Sequence, residues 1–127
     1  MILSNFQREF YPFEEASIDE MVLGFKGCGL FKQFNATKPK KYHIKTFGLC
    51  DAATGYVLNI LTYFGGDTFY KPECEPDGSR AVKIFEPLLT PLGTGHKIFV
   101  DRFYTTRVLI DYLLQKKQYH TGTVNLN

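Results

Sequence analysis

Two aspartates stand out by their surroundings. Asp19 interrupts an apolar stretch, Ser17-Ile18-Asp19-Glu20-Met21-Val22-Leu23-Gly24-Phe25, and Asp101 ends another, Lys97-Ile98-Phe99-Val100-Asp101. A carboxylate carried on a strand is a hard oxygen ligand on a rigid support, the donor type that Mg²⁺ or Mn²⁺ prefers. Set side by side on neighbouring strands, the two would share divalent metals. A metal pair activates the attacking oxygen and stabilises the leaving one in phosphodiester cleavage. The residues alone leave a second reading open, two ordinary aspartates at strand ends. Glu20 alternates to the opposite sheet face and is expected to be structural or to support the metal ligands indirectly.

The second feature is charge. The net charge is only +2, yet residues 21–50 carry six lysines (Lys26, Lys32, Lys38, Lys40, Lys41, Lys45) and no acid. Lys38, Lys40, Lys41 and Lys45 interleave with Tyr42 and Phe47, a pattern suited to phosphate contacts, each adding a salt-dependent, sequence-independent increment. The alternative is a solvated sheet face with lysines on its wet side. Other chemistries find no support. Gly24, Gly27 and Gly29 do not spell a dinucleotide-binding loop, and Leu92-Gly93-Thr94-Gly95-His96-Lys97 lacks the spacing of a phosphate-binding loop. His43, His96 and His120 are scattered without metal-pair spacing, and Cys28 and Cys50 read as small buried residues rather than nucleophiles.

These residues need strands to position them. The clearest are 41–50 and 56–64, joined by Asp51-Ala52-Ala53-Thr54-Gly55 as a hairpin. Residues 17–25 and 97–101 form two more, and 119–124 a last one. Ala81, Ile84, Phe85 and Leu88 fall on one helical stripe, predicting a helix over 80–89 with Ser79 as its cap and Pro91 as its stop. Thr105 or Thr106 caps a second helix running to about Lys117. Residues 65–79 read as a Gly/Pro-bearing loop. The order is β-β-β-α-β-α-β, an α/β arrangement with a mixed sheet and helices on its faces. The ribonuclease-H-like fold has this order, and it brings an acid on the first strand to one at the end of the fourth.

A chain of 127 residues, 44% hydrophobic and 22% charged, is the size and composition of one ordinary domain rather than a disordered or fibrous polymer. No apolar run is long enough for a membrane helix. The first residues, Met1-Ile2-Leu3-Ser4-Asn5-Phe6-Gln7-Arg8-Glu9, do not have the form of a signal peptide. Three cysteines (Cys28, Cys50, Cys74) without a C-x-x-C pair argue against a disulfide scaffold or a zinc site. The expectation is a soluble, intracellular globular unit.

Four blocks resemble the piggyBac family of DNA transposases. Residues 17–27 are similar to its first catalytic block. Lys38-Pro39-Lys40-Lys41-Tyr42-His43-Ile44-Lys45, followed by Leu49-Cys50-Asp51-Ala52-Ala53-Thr54-Gly55-Tyr56-Val57, is similar to its K-P-x-K … C-D-x-x-T-G-Y segment. Val100-Asp101-Arg102-Phe103-Tyr104-Thr105-Thr106 resembles its second aspartate block, and Gly122-Thr123-Val124 its G-T-V-R strand. The blocks occur in family order over about residues 16–125. The resemblance implies a ribonuclease-H-like core that nicks DNA, closes a hairpin and inserts at TTAA, using three aspartates and Mg²⁺ (or Mn²⁺). Asp19 matches the first aspartate and Asp101 the second, as catalytic residues and metal ligands. Lys26, Lys38, Lys40, Lys41, Lys45 and Arg102 are the expected DNA contacts.

The departures are specific. No residue matches the third aspartate, which lies past the G-T-V-R strand in the family. Cys28, Arg102 and Asn125 stand where the family usually has Arg, Asn and Arg. Residues 1–15 read as an N-terminal arm or the remnant of an upstream domain, and 16–127 as a partial transposase domain, truncated at its C-terminus. The expectation is therefore a catalytic-core fragment that binds metal weakly and does not complete the reaction alone. The alternative is a domesticated, non-catalytic DNA-binding or protein-interaction domain. The resemblance also implies nuclear residence, and truncation implies a homodimer or another partner over an exposed apolar face.

Overall fold

The strand that carries Asp19 lies at the centre of the sheet. A computed structural model describes residues 2–65 and 80–124. Its elements are α1 (Ile2–Glu9), β1 (Glu15–Gly24), β2 (Lys32–Phe34), β3 (Tyr42–Asp51), β4 (Val57–Thr62), α2 (Arg80–Leu88), β5 (Lys97–Val100), α3 (Arg107–Gln115) and β6 (Tyr119–Gly122). β1 pairs antiparallel with β3 along nine residues, Ala16–Asp51 to Gly24–His43. On its other edge it pairs parallel with β5, and β5 pairs parallel with β6. The far edge of β3 is divided: β2 takes Tyr42–Ile44, and β4 takes Thr46–Cys50.

The mixed α/β fold is the one expected, with the predicted strands and helices in their predicted order. Two elements are additional. The first, α1, arises from residues expected only as an arm, and it packs on β4. Gln7 Nε2 donates to Leu58 O at 3.3 Å, the Tyr56 hydroxyl donates to Phe6 O at 3.1 Å, and the rings of Phe6 and Phe10 lie against Tyr56. The second, β2, is three residues long, too short for alternation to reveal. Cys28 is exposed rather than buried, because it lies in the loop beyond the end of β1, whereas Cys50 is half-buried in β3. Ser79, Cys74, Asn125 and most of the 65–79 loop lie outside the described residues. Among the described residues, no helix is long and apolar enough to cross a membrane.

The core forms where strand alternation meets helical periodicity. Ala16 and Ile18 of β1 stand beside Ile98 and Val100 of β5 and near Phe47 and Leu49 of β3. Against them pack Ala81, Ile84, Phe85 and Leu88 of α2 and Leu109 and Leu113 of α3, all buried. Each fully buried Leu, Ile or Phe contributes about 1.5–3 kcal/mol. Helix α2 ends at Leu88, with Pro87 in its last turn, ahead of the expected stop at Pro91. The buried Asn59 side chain closes that end, donating to Pro87 O at 3.0 Å and Leu88 O at 3.2 Å. Of the two threonines open as caps for α3, it is Thr106 whose hydroxyl accepts from Leu109 N.

Asp51 is the polar counterpart of this core. Expected in the hairpin turn, it is the last residue of β3 and fully buried. Its Oδ1 accepts from Phe13 N at 2.9 Å, and its Oδ2 accepts from Thr54 N at 2.9 Å and the Thr54 hydroxyl at 2.7 Å. Gly55 completes the turn at φ 74°, a conformation that a side chain rarely adopts. One carboxylate thus ties the segment entering β1 to the β3–β4 hairpin. Burial pushes its pKa up, but the hydrogen bonds from Thr54, Phe13 and Ala53 outweigh this and hold it below the ordinary 3.8. A carboxyl with a depressed folded-state pKa contributes stability above its unfolded-state value and loses it as pH falls through the folded value. Asp51→Asn should therefore destabilise the fold by about 2 kcal/mol at neutral pH, as removal of a charged hydrogen-bond hub does. The gap between the two proteins should narrow below about pH 4, measured by urea unfolding across a pH series.

Candidate active site

Because β5 stops at Val100, the edge of β1 beyond Ile18 is open at the C-terminal end of the parallel pair. Ile18 and Val100 are register partners. Asp19 and Asp101 are each one residue further on, so both leave adjacent strands at one level. The backbone turns at once after Val100. Tyr104 N donates to Asp101 O at 3.0 Å, and Thr105 N donates to Arg102 O at 3.3 Å. Asp101 Oδ1 accepts from Arg102 N at 2.6 Å, and Asp19 Oδ1 accepts from Glu20 N at 2.7 Å. Each carboxylate is thereby oriented by its own backbone, and each keeps a second oxygen for a further ligand.

Both aspartates line two depressions. One, about 420 Å³, runs past Ser17 and Phe99 to Thr121 and Thr123. The other, about 480 Å³, adds Glu20 and four cations, Lys38, Lys45, Arg80 and Arg102. Two of these, Glu20 and Lys45, are tied together. Glu20 and Phe47 are register partners, so Glu20 occupies the core-facing side of β1, as alternation requires. A carboxylate placed there needs partners. Lys45 Nζ supplies one at 2.5 Å, and the Tyr104 hydroxyl donates a short hydrogen bond to the same oxygen. Burial raises the Glu20 pKa, but these two bonds and the charge of Lys45 outweigh it and hold it below 4.5. Burial, then the hydrogen bond to Glu20, pushes the Tyr104 phenol well above its ordinary range, so it stays a donor.

Tyr104 is itself a buried wedge. Its ring lies edge-on to Phe47 at 6.2 Å and close to Phe85 at 6.3 Å. The turn that delivers it rests on β6. A Cβ at Gly122 would lie 2.6 Å from Thr105 Oγ1 and 2.8 Å from Val100 O, closer than atoms pack. On the Asp19 side, the Cys50 thiol is pushed up by burial and then by the Asp19 charge, which keeps it protonated and un-nucleophilic at neutral pH.

The expected site residues therefore fall into two groups. Asp19, Asp101, Lys38, Lys45 and Arg102 share one cavity. Lys26, Lys40 and Lys41 line a second groove at the C-terminal end of β1, past Gly24, about 470 Å³ in volume, with Phe25, Pro39 and Tyr42. Arg80 and Tyr104 were not among the expected site residues. The signal for Tyr104 was available in Glu20, a carboxylate on the apolar face with no partner in sequence. Among the described residues, no group of three or more His, Cys, Asp or Glu side chains is arranged to hold a metal ion. Two exposed carboxylates nevertheless fit Mg²⁺ chemistry, since that ion usually takes one or two protein carboxylates and completes its shell with water and phosphate.

The family described as Transposase IS4, of the DDE type, matches residues 1–127. The chain belongs to this transposase family. Its fold is similar to a cryo-EM structure titled piggyBac transposase synaptic complex with hairpin DNA, at a TM-score of 0.83 and 29% sequence identity. The alignment covers 98% of this chain and 26% of that one, so the chain spans about a quarter of that transposase's length. The four sequence blocks thus belong to a transposase domain. The Gly122 contact makes a specific demand on this domain. Gly122→Ala should displace the Val100 carbonyl, next to Asp101, and cost about 1–3 kcal/mol, as overpacking does. Thermal unfolding of the variant reads this directly, and an unchanged midpoint would contradict the close approach.

Proposed function

We propose that this transposase-family domain binds DNA at the Asp19–Asp101 cavity and uses the two carboxylates to hold Mg²⁺ or Mn²⁺ against a phosphodiester. The observation carrying the proposal is the register: two carboxylates one residue past the Ile18–Val100 pair, lining one cavity with four cations. A divalent ion held by Asp19 and Asp101 would supply Lewis-acid polarisation of the phosphate and a more acidic attacking water or hydroxyl. The chain's own residues do the rest. Arg102 and Arg80 offer guanidinium donors to phosphate oxygens. Lys38 adds positive charge at the cavity. Glu20 and Tyr104 hold Lys45 at its edge, so its ammonium is placed before a ligand arrives. Arg102 follows Asp101 and lines the same cavity, so its charge repels a metal cation there, which favours weak binding.

Strand transfer in the related transposases, as the sequence resemblance implies, takes a third carboxylate. None joins Asp19 and Asp101 in a three-ligand group among the described residues. The proposed role of this chain by itself is therefore DNA and metal binding rather than turnover, and the domesticated, non-catalytic reading shares that outcome. TTAA ends, a homodimer and nuclear residence belong to the same proposal, through the resemblance to piggyBac transposase. Manganese titration followed by paramagnetic relaxation tests the site. The wild-type chain should bind Mn²⁺ weakly and compete it off with Mg²⁺, and the Asp19→Asn, Asp101→Asn double variant should lose that binding. Equal binding by both proteins would remove the metal site.

A further inference from the structure

The groove at the C-terminal end of β1 has a different chemistry from the acidic cavity. Phe25 N donates to Tyr42 O at 3.1 Å, extending the β1–β3 ladder one step past Gly24–His43. Phe25 and Tyr42 thus stand opposite each other and line the groove together. Its walls are fixed by bonds that need no ligand. The buried His43 ring bonds to Lys40 O at 2.9 Å, and Asn35 N donates to Lys41 O at 2.9 Å. Gly24 leaves room for the Lys40 stem, since a Cβ there would lie 3.1 Å from Lys40 Cδ. Tyr42 is 55% exposed although Phe34 lies 5.0 Å from its ring and Lys32 Nζ 5.1 Å from its centroid. Lys26, Lys40 and Lys41 are exposed around it, and residues 21–50 contain no acid to neutralise them.

From this geometry we infer that the groove is a site for an unpaired nucleotide, its base stacked on Phe25 and Tyr42 and its flanking phosphates held by Lys26, Lys40 and Lys41. Aromatic faces within a basic groove are the recurrent design of single-strand binding. Inside a duplex each base face is already covered by its neighbours, so away from a duplex end only an unpaired base offers a face to these rings. The charge selects a polyanion, and the rings select one with exposed π-faces. The inference rests on the reading that this domain handles DNA, and it adds a second, single-strand-specific site distinct from the Asp19–Asp101 cavity.

The test is fluorescence anisotropy on the whole chain with four probes of equal length: oligo-dT, the same backbone made abasic, a blunt duplex, and a polyglutamate peptide. Oligo-dT should bind several-fold more tightly than the abasic strand, with a log–log salt slope of about −2 for three lysine contacts. Tyr42→Ala and Phe25→Ala should each weaken oligo-dT binding by about tenfold while leaving abasic binding unchanged, and Tyr42→Phe should retain it. Equal affinity for dT and abasic strands, on the unmodified chain, overturns the stacking site whatever the variants do. If the duplex still binds in that case, the DNA reading survives and only the groove assignment fails. If no nucleic acid binds, both fail. Polyglutamate binding as tightly as oligo-dT would also overturn the proposal, in favour of an acidic protein partner.

Discussion

The parallel contact between β1 and β5 is the constraint from which the rest of this domain follows. A parallel pair puts the same ends of two strands together, so carboxylates just past Ile18 and Val100 emerge at one level. An antiparallel pairing would have sent them to opposite ends of the sheet. Parallel neighbours require a crossover connection, and the chain provides it through β3, β4 and α2 before returning as β5. The long antiparallel ladder to β3 then holds β1 rigid along its whole length, so the level of Asp19 does not drift against Asp101.

Two ionised carboxylates complement this arrangement, Asp51 fully buried and Glu20 half-buried, and each is satisfied by partners from distant segments. Asp51 gathers Phe13 and Thr54, and Glu20 gathers Lys45 and Tyr104. Buried charges are costly unless paired and hydrogen-bonded. Each centre therefore specifies which segments must meet, in a way that apolar packing alone does not. The first fixes the entry to β1. The second joins the start of β3 to the turn after β5, across the strand that carries Asp19. The turn after β5 thus answers to three neighbours, namely the Glu20 carboxylate, the Phe47 and Phe85 rings, and the Gly122 backbone.

Much of this was legible in the sequence because the relevant signals are local. Alternation marked β3 and β4, the Ala81–Leu88 stripe marked α2, and an aspartate directly after a short apolar run marked the end of β5. The helix α1 was not legible, because it buries no residue fully and is held by contacts to Tyr56 and Leu58, some fifty residues away. β2 is too short to show a period. Asp51 looked like a turn residue because aspartate favours turns, and its burial depends on the backbone of Phe13, which sequence spacing does not connect to it. The expected DNA-contacting lysines read as one block because they are close in the chain. The fold divides them between two depressions: Lys40 and Lys41, just before β3, lie with Lys26 past the end of β1, while Lys45, inside β3, reaches Glu20 and shares its cavity with Lys38.

The divided edge of β3 has a consequence for motion. β2 meets β3 through only three residue pairs, and it adjoins, without overlapping, the part of β3 that β4 covers. Short peripheral ladders with little core beneath them open at lower free energy than central ones. Amide exchange should then report two tiers, a fast-opening flap at Lys32–Phe34 and a slow-opening beam made by β1 and the middle of β3. With such a division, opening at β2 leaves the ladder between β1 and the middle of β3, and with it the level of Asp19, in place.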